Sequence, residues 1–522
     1  MHVTSGPLGW AKSFAPVLVC VALALALQLL VKPLVGDFYA KLILDIGTNV
    51  ILAVSLTMVN GFTGQFSMGH AAFMLVGAYT AATLVYYGSY LAFEDAAIHG
   101  GSLSGMSARE GVGLLTWADG LFAGSLLAGG LVAALCGYLV GLPSLRLRGD
   151  YLAIVTLGFG EIARVLIQSQ TSDVLYDAGE VKSAPIVGMA QFFHEPGKNF
   201  KAFFEDGVSA TDWSAPLWLR TGGALGFSGL PFYTNLFWVF LVAGLTMLVA
   251  FRLKRSTFGR AFLSIREDEI AAEAMGVGTT RYKVWAFVIS AFFAGVAGGL
   301  FAHTSGVQLN PGELGFMKSF DIIIMVVLGG LGSISGAALA AGMLTVLPEW
   351  LRAPGHVWWY GLVIAAIAGA SPLIRRQWRE VGLLGLALAL VAAAMLVLPA
   401  ESQPVWKALA NGAGALSMGA LGRVMLGLAL AGGAVVLARG RGLKGASVVL
   451  AATLVLELAR YLALSQGVDL SKYRMILYAF MLILMMILRP KGLLGVQEVW
   501  DGAFWRGFWH SIRGGSGERT RG

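Results

Sequence analysis

The stretch "NLFWVFLVAGLTMLVAFRLKRSTFGRAFLSIREDEIAAEAMGVGTTRYKVWAFVISAFFAGVAGGLF", residues 235–301, decides how the chain is built. Two apolar runs, each long enough to cross about 30 Å of hydrocarbon, enclose the short segment 259–278. That segment holds six charged residues: Arg260, Arg266, Glu267, Asp268, Glu269 and Glu273. Apolar runs of roughly 17–25 residues recur on both sides of this region. Only 13% of the residues are charged, about half of what soluble domains carry. The expected fold class is therefore all-α, a polytopic integral membrane protein.

The pattern predicts spans near 14–31, 41–58, 67–87, 120–142, 151–169, 233–251, 284–302, 320–334, 336–352, 356–374, 381–398, 418–438, 446–464 and 473–488. With the N-terminus inside, the basic clusters Arg146/Arg148, Arg252/Lys254/Arg255/Arg260, Arg375/Arg376/Arg379 and Arg439/Arg441/Lys444 fall on one side, together with the tail after Arg489. The positive-inside rule then makes both termini cytoplasmic. The run Phe14–Val31 is longer than a signal-peptide core and is read as an uncleaved first helix. Two long segments, 88–118 and 170–232, face away from the cytoplasm.

Several chemistries find no support in the sequence. There is no G-x-x-x-x-G-K-[ST], and "GVGTTRYK" (276–283) lacks that spacing, so no phosphate-binding loop is expected. The seven histidines form no HxxxH or HExxH pair, so no metal site is expected. No basic stretch suits nucleic acid. Cys20 and Cys136 sit in apolar runs and read as small buried hydrophobes.

Three stretches carry candidate function. In "NGFTGQFSMGHAAFMLVGAYTAA" (60–82), glycines interrupt an apolar run and Gly64, Gln65, Ser67 and His70 lie between or beside polar neighbours. Such a break at membrane depth lines a substrate path or caps a tight turn, and both readings stand. In "RGDYLAIVTLGFGEIARVLIQS", Glu161 falls near mid-bilayer with Arg164 at i+3, as a path element or as a buried ion pair holding helices in register. "GGLGSISG" (329–336) reads as a tight reversal or a close helix contact. The charged segment 266–275 predicts a short helix with Glu267, Asp268 and Glu269 in its first turn and an apolar stripe of Ile270, Ala271, Ala274 and Met275. Gly276 or Gly278 would end it in the left-handed conformation. That stripe needs a protein groove or the lipid headgroups to cover it.

Six ordered blocks resemble one family. "GQFSMGHAAFMLVGAY" (64–79), "RGDYLAIVTLGFGEIARV" (148–165), "TGGALGFSGLP" (221–231), "FGRAFLSIREDEIAAEAMGV" (258–277), "MVVLGGLGSISG" (325–336) and "YRMILYAFMLILMMILRPKGLLG" (473–495) are similar to branched-chain amino acid ABC transporter permeases of the LivM type. The resemblance implies an importer subunit in the bacterial inner membrane. It would work with a LivH-type second permease, two ATP-binding cassette subunits and a periplasmic amino-acid-binding protein. ATP would be used by those partners, with no cofactor in this chain and membrane lipid around it. It also makes the charged helix a coupling helix, with Glu269, Ile270, Ala271, Glu273, Ala274, Met275 and Gly276 against the ATPase.

Set beside the family, the chain divides into a permease core at 1–352 with a cytoplasmic coupling loop at 252–283, inserted helices at 353–465, a final core helix at 466–495 and a basic cytoplasmic tail at 496–522. About ten core helices and about four inserted ones are expected, the latter peripheral to transport. Urea, short amides or small carboxylates stay open as cargo beside branched-chain amino acids. An ion-coupled secondary transporter is the competing class.

Overall fold

The computed structural model describes residues 7–31, 37–93, 98–101, 115–144, 151–169, 221–304 and 308–352, a few short helical stretches between 383 and 451, and Glu498. Every long element among them is a helix. They are α1 (Pro7–Ala26, followed by a π-helical turn Leu27–Val31), α2 (Asp37–Asn60), α3 (His70–Phe93), α4 (Trp117–Ser144), α5 (Tyr151–Gln168), α6 (Leu236–Arg255), α7 (Thr257–Glu267), α8 (Glu269–Ala274), α9 (Thr279–Ala302), α10 (Phe316–Gly329) and α11 (Ile334–Arg352). Within α2, α3, α4, α5, α6 and α9 lie six segments long and apolar enough to cross a bilayer. Shorter apolar helices cover Ala15–Leu30 and Ile334–Pro348. The protein is an α-helical multi-pass membrane protein. The spans expected between 356 and 488 lie outside the continuously described residues, as do Asp150 and most of the two long loops.

The chain forms two compact units, Met1–Met343 with Met485–Glu498, and Leu344–Leu484 with Val499–Gly522. The first carries everything described below. Its centre is α9, buried along most of its length from Val284 to Ala302 and packed by α2, α3 and α4. Small residues set that packing. Gly77 of α3 faces Gly295 of α9, and Gly298 lies against the carbonyl of Met74. In lipid, where apolar burial gives helices little reason to associate, such close backbone approach supplies the van der Waals contact. Aromatic edges fill the wider gaps, as where Phe73 meets Phe287 with centroids 5.4 Å apart. α5 lies at the margin, with Tyr151, Ile154, Ile162 and Leu166 exposed. Cys20 and Cys136 are half-buried free thiols rather than buried ones.

Two features differ from the sequence expectation. The span expected at 320–334 is α10, only 14 residues long and ending at Gly329. Gly330 and Gly332 have φ of 111° and 94°, a region open to glycine, so the chain reverses before the apolar run is used up. Gly329 and Gly336 then touch across the reversal, so "GGLGSISG" is both a turn and a helix contact. At the opposite end of the bundle, residues 221–235, most of which fall in the expected long outer segment, are packed. Phe227 pairs with Leu309 through N–O distances of 2.8 and 3.2 Å, and the His303 ring bonds the Pro231 carbonyl at 2.8 Å. Asp119 accepts from the amides of Gly101 and Thr116 at 2.8 and 2.7 Å.

Candidate functional site

The charged segment is built by caps. α6 ends in Arg252, Lys254 and Arg255, where cations suit the negative end of the helix dipole. Ser256 turns the chain and caps α7, its Oγ accepting from the Gly259 amide at 3.2 Å. α7 buries Phe262 and Ile265 on one side. The expected single helix from Arg266 to Met275 is in fact two. Arg266 and Glu267 finish α7, and Asp268 leaves helical geometry at φ −157° to cap α8, accepting from Ile270 and Ala271 amides at 2.9 and 3.0 Å. A short acidic side chain at the junction satisfies two orphan amides, which a continuous helix would not offer it.

α8 ends as expected, with Gly276 at φ 85°. The Gly276 amide bonds Glu273 O and the Val277 amide bonds Ala272 O at 2.9 and 3.0 Å, the paired closure of a Schellman motif. The exposed stripe is also present: Ile270 is 68% and Met275 84% exposed, with Ala271 and Ala274 open between them. Glu273 projects beside it. Glu269 behaves differently, because Lys283 at the start of α9 holds it at 2.7 Å with the lysine almost fully buried. Glu269 thus anchors α8 to its own chain.

The Gly-broken stretch lies next to this segment. Arg266 donates to the Gly61 carbonyl at 3.0 Å, and a side chain at Gly64, φ 70°, would press on Arg266. From Gly64 to Gly69 the chain is non-helical, and two of its amides, with one at the start of α3, bond side chains of other helices. Met68 N donates to Thr156 Oγ1 at 3.0 Å, Ala71 N to Ser319 Oγ at 3.3 Å, and Ser67 N to Asn60 Oδ1 at 3.2 Å. Away from water, backbone groups outside a helix need such partners. Gln65, Ser67 and His70 are buried, with His70 Nε2 and Ser55 Oγ 2.8 Å apart, while Gly64 and Phe66 are exposed. Buried polar groups lie behind the break, and one edge of it is open.

Glu161 and Arg164 do pair, at 2.7 Å, but not as a buried couple. Their side chains are 38% and 27% exposed. Arg164 also donates to Gln168 at 2.7 Å, and Glu161 accepts the Phe316 amide at 3.2 Å at the N-terminus of α10. The expectation that removing one partner strands a buried charge is therefore corrected. α5 is too marginal in the bundle to enclose the pair, and each member keeps a second contact.

One cluster had no signal in the sequence. Lys254 Nζ donates to Gly332 O at 2.8 Å and to Glu498 Oε1 at 2.6 Å. Glu498 also accepts the amides of Ile334 and Ser335 at 3.0 and 2.9 Å and the Ser335 hydroxyl at 2.7 Å. A carboxylate from the far end of the chain thereby caps α11. Burial alone would push its pKa up, but Lys254, the two amides and the Ser335 hydroxyl outweigh that and hold it below the usual carboxylate range. Stability from this group is present above an ordinary carboxylate pKa of about 4.3 and is lost as pH falls through the lower folded value. Glu498→Gln should cost about 1.5–3 kcal/mol at pH 7, the worth of hydrogen bonds to a charge. The gap between wild-type and variant melting temperatures should narrow as pH drops below about 4. A gap that stays constant from pH 7 to 3.5 would show the carboxylate is not the group at work.

A bundle of apolar spans, a Gly-broken polar segment and a capped charged segment between two spans make this a multi-pass membrane protein with no enzyme-like cluster of side chains among the described residues. The chain belongs to the branched-chain amino acid transport system permease component family, which matches residues 38–370. It is 34% identical over 340 residues to the high-affinity branched-chain amino acid transport system permease protein LivM of Salmonella typhimurium, covering 64% of this chain and 67% of that one. LivM of Escherichia coli gives 34% over 341 residues with the same coverage. The high-affinity branched-chain amino acid transport system permease protein LivH of Escherichia coli is 25% identical over 299 residues, 57% of this chain and 80% of its own. No solved structure matches.

Proposed function

We propose that this chain is a transmembrane subunit of an ABC importer that moves branched-chain amino acids inward by alternating access, powered by partner ATPases. The observation that carries this reading is the family match across residues 38–370 together with α8, a helix whose apolar stripe has nothing over it among the described residues. The partners are a LivH-type permease, two ATP-binding cassette subunits and a periplasmic binding protein. The setting is a bacterial inner membrane with both termini in the cytoplasm. α8 is the coupling helix, docking through Ile270, Ala271, Glu273, Ala274, Met275 and Gly276, with Glu269 fixing its base.

The transport path runs along the open edge of the broken segment at Gly64. Gln65, Ser67 and His70 are buried behind that edge, and Glu161 and Arg164 belong to the path from α5, where they meet the start of α10. The core comprises 1–352 and 466–495, and the helices of 353–465 take no part in transport. The test is reconstitution. Co-expressed with the ATPase, permease and binding-protein genes beside its own, the chain should support ATP-dependent uptake of labelled leucine into proteoliposomes. It should hydrolyse no ATP alone. Leucine uptake by the isolated chain on a proton or sodium gradient would overturn the reading in favour of a secondary transporter. Uptake of urea or acetamide but not leucine would keep the class and change the cargo.

A further inference from the structure

The last turns of α4 and the first turns of α9 stand apart and leave an open groove of about 640 Å³ between them. Leu135, Tyr138 and Leu142 line one wall at i, i+3 and i+7. Arg281, Trp285 and Val288 line the other at i, i+4 and i+7. The groove has a chemical gradient along the helix axis. Leu135 and Val288 make its deep end apolar. Tyr138 and Trp285, each roughly half exposed, form its waist. Arg281 and Thr280 stand at its mouth, both exposed.

That order matches a phospholipid. Tyrosine and tryptophan favour the headgroup boundary, with their rings on the hydrocarbon side and their polar atoms towards water. Arginine at a helix end reaches phosphate with a planar fork of donors. Among the described residues Arg281 has no ion-pair partner, while its neighbour Lys283 is already neutralised by Glu269. The mouth is therefore net positive and suits an anionic headgroup. The lining is unlike a helix–helix seam, which in membranes is rich in small residues; here Ala134 and Thr280 are outnumbered by leucine, valine, tyrosine, tryptophan and arginine.

We propose that this groove is a binding site for an anionic phospholipid. Arg281 and Thr280 take the phosphodiester, Tyr138 and Trp285 bracket the ester region, and one acyl chain lies between Leu135 and Val288. The headgroup would sit two residues from the Lys283–Glu269 tie that anchors α8, so lipid composition bears directly on the charged segment.

Native mass spectrometry of the purified full chain tests this, with phosphatidylglycerol and phosphatidylethanolamine of identical acyl composition as probes. The chain should retain phosphatidylglycerol in preference. Arg281→Gln should weaken that retention about fivefold, the worth of one cation at an anionic surface, and weaken retention of the zwitterionic phosphatidylethanolamine less, so that the preference narrows. Val288→Trp should fill the groove and remove the retained lipid. Arg260→Gln, an exposed cation on α7 outside the groove, should change nothing. Equal retention of both lipids, no effect of Arg281→Gln, or an equal loss with Arg260→Gln would overturn the proposal. So would a photo-crosslinker at Leu135 that captures a protein chain in membranes instead of lipid. Arg281 is exposed, so its replacement leaves a folded chain to measure even where Val288→Trp does not.

Discussion

An importer carrying Glu273→Arg in this chain should take up substrate at background rates, although the chain itself inserts and folds normally. Glu273 is exposed on α8 beside Ile270 and Met275. A single exposed reversal there costs the fold within about 0.5 kcal/mol. At a docked interface the same reversal places like charges together or strands a partner, which costs several kcal/mol; about 2.8 kcal/mol is a hundredfold loss of affinity. Gly276→Leu probes the same helix through its backbone. A side chain at Gly276 would meet nothing within 4 Å, so it does not obstruct the exit sterically. Its cost is the left-handed φ of 85°, roughly 1–2 kcal/mol for an L-residue. That is enough to fray a helix of six residues. The measurements are co-purification of the ATPase and leucine uptake, each at matched expression. Normal values for both variants would remove α8 from coupling and leave it as a surface helix.

The parts of this structure that were legible in the sequence are those governed by local pattern. Apolar runs located nine helices within a few residues, because span length follows from bilayer thickness and helix rise. A left-handed stop at Gly276 or Gly278 and the apolar stripe of α8 could be read from glycine placement and spacing alone, and the structure puts the stop at Gly276. Asp268 was misplaced for a physical reason: helix propensity sums smoothly across 266–275, whereas a cap is one hydrogen-bonding choice by one side chain. α10 was shifted by four residues because hydropathy continues through Leu331, but the glycines around it turn the chain first. Exposure of the Glu161–Arg164 pair depended on how α5 packs, and spacing carries no information about that. Glu498 was beyond reach. Its partners lie 163 to 244 positions away, and nothing in "LLGVQEVW" marks one glutamate as a cap for a distant helix. The closest hint is "SIS" after the reversal, a helix start whose serines still leave amides for an outside acceptor.

Gly298→Leu should be the most damaging single substitution in the bundle, and Gly124→Leu one of the mildest, although both replace a helical glycine by the same residue. A Cβ at Gly298 would collide with the carbonyl oxygen of Met74 and stand 2.9 Å from the amide of Ala78. Those are backbone atoms of α3, so no rotamer change makes room. α3 and α9 must separate, and the contact at Gly77 and Gly295 one turn away separates with them. Ordinary overpacking costs about 1–3 kcal/mol when side chains adjust. A collision of two backbones should exceed about 4 kcal/mol, a loss few domains survive. At Gly124, on α4, a Cβ meets nothing within 4 Å. Leucine there gains helix propensity over glycine, about 0.8–1 kcal/mol in a helix interior, and adds apolar surface where the helix is exposed. Gly129, five residues further along α4, sharpens the contrast: its Cβ would lie 2.7 Å from the carbonyl oxygen of Gly77, so leucine there should behave like the Gly298 variant. Fluorescence-detected size exclusion and thermal melting in detergent would separate the cases, with Gly124→Leu eluting as one sharp peak and Gly298→Leu and Gly129→Leu aggregated or absent. A sharp peak for Gly298→Leu with a melting point near wild type would mean that α3 and α9 do not meet backbone to backbone. The packing of the core would then rest on its large side chains instead of on its glycines.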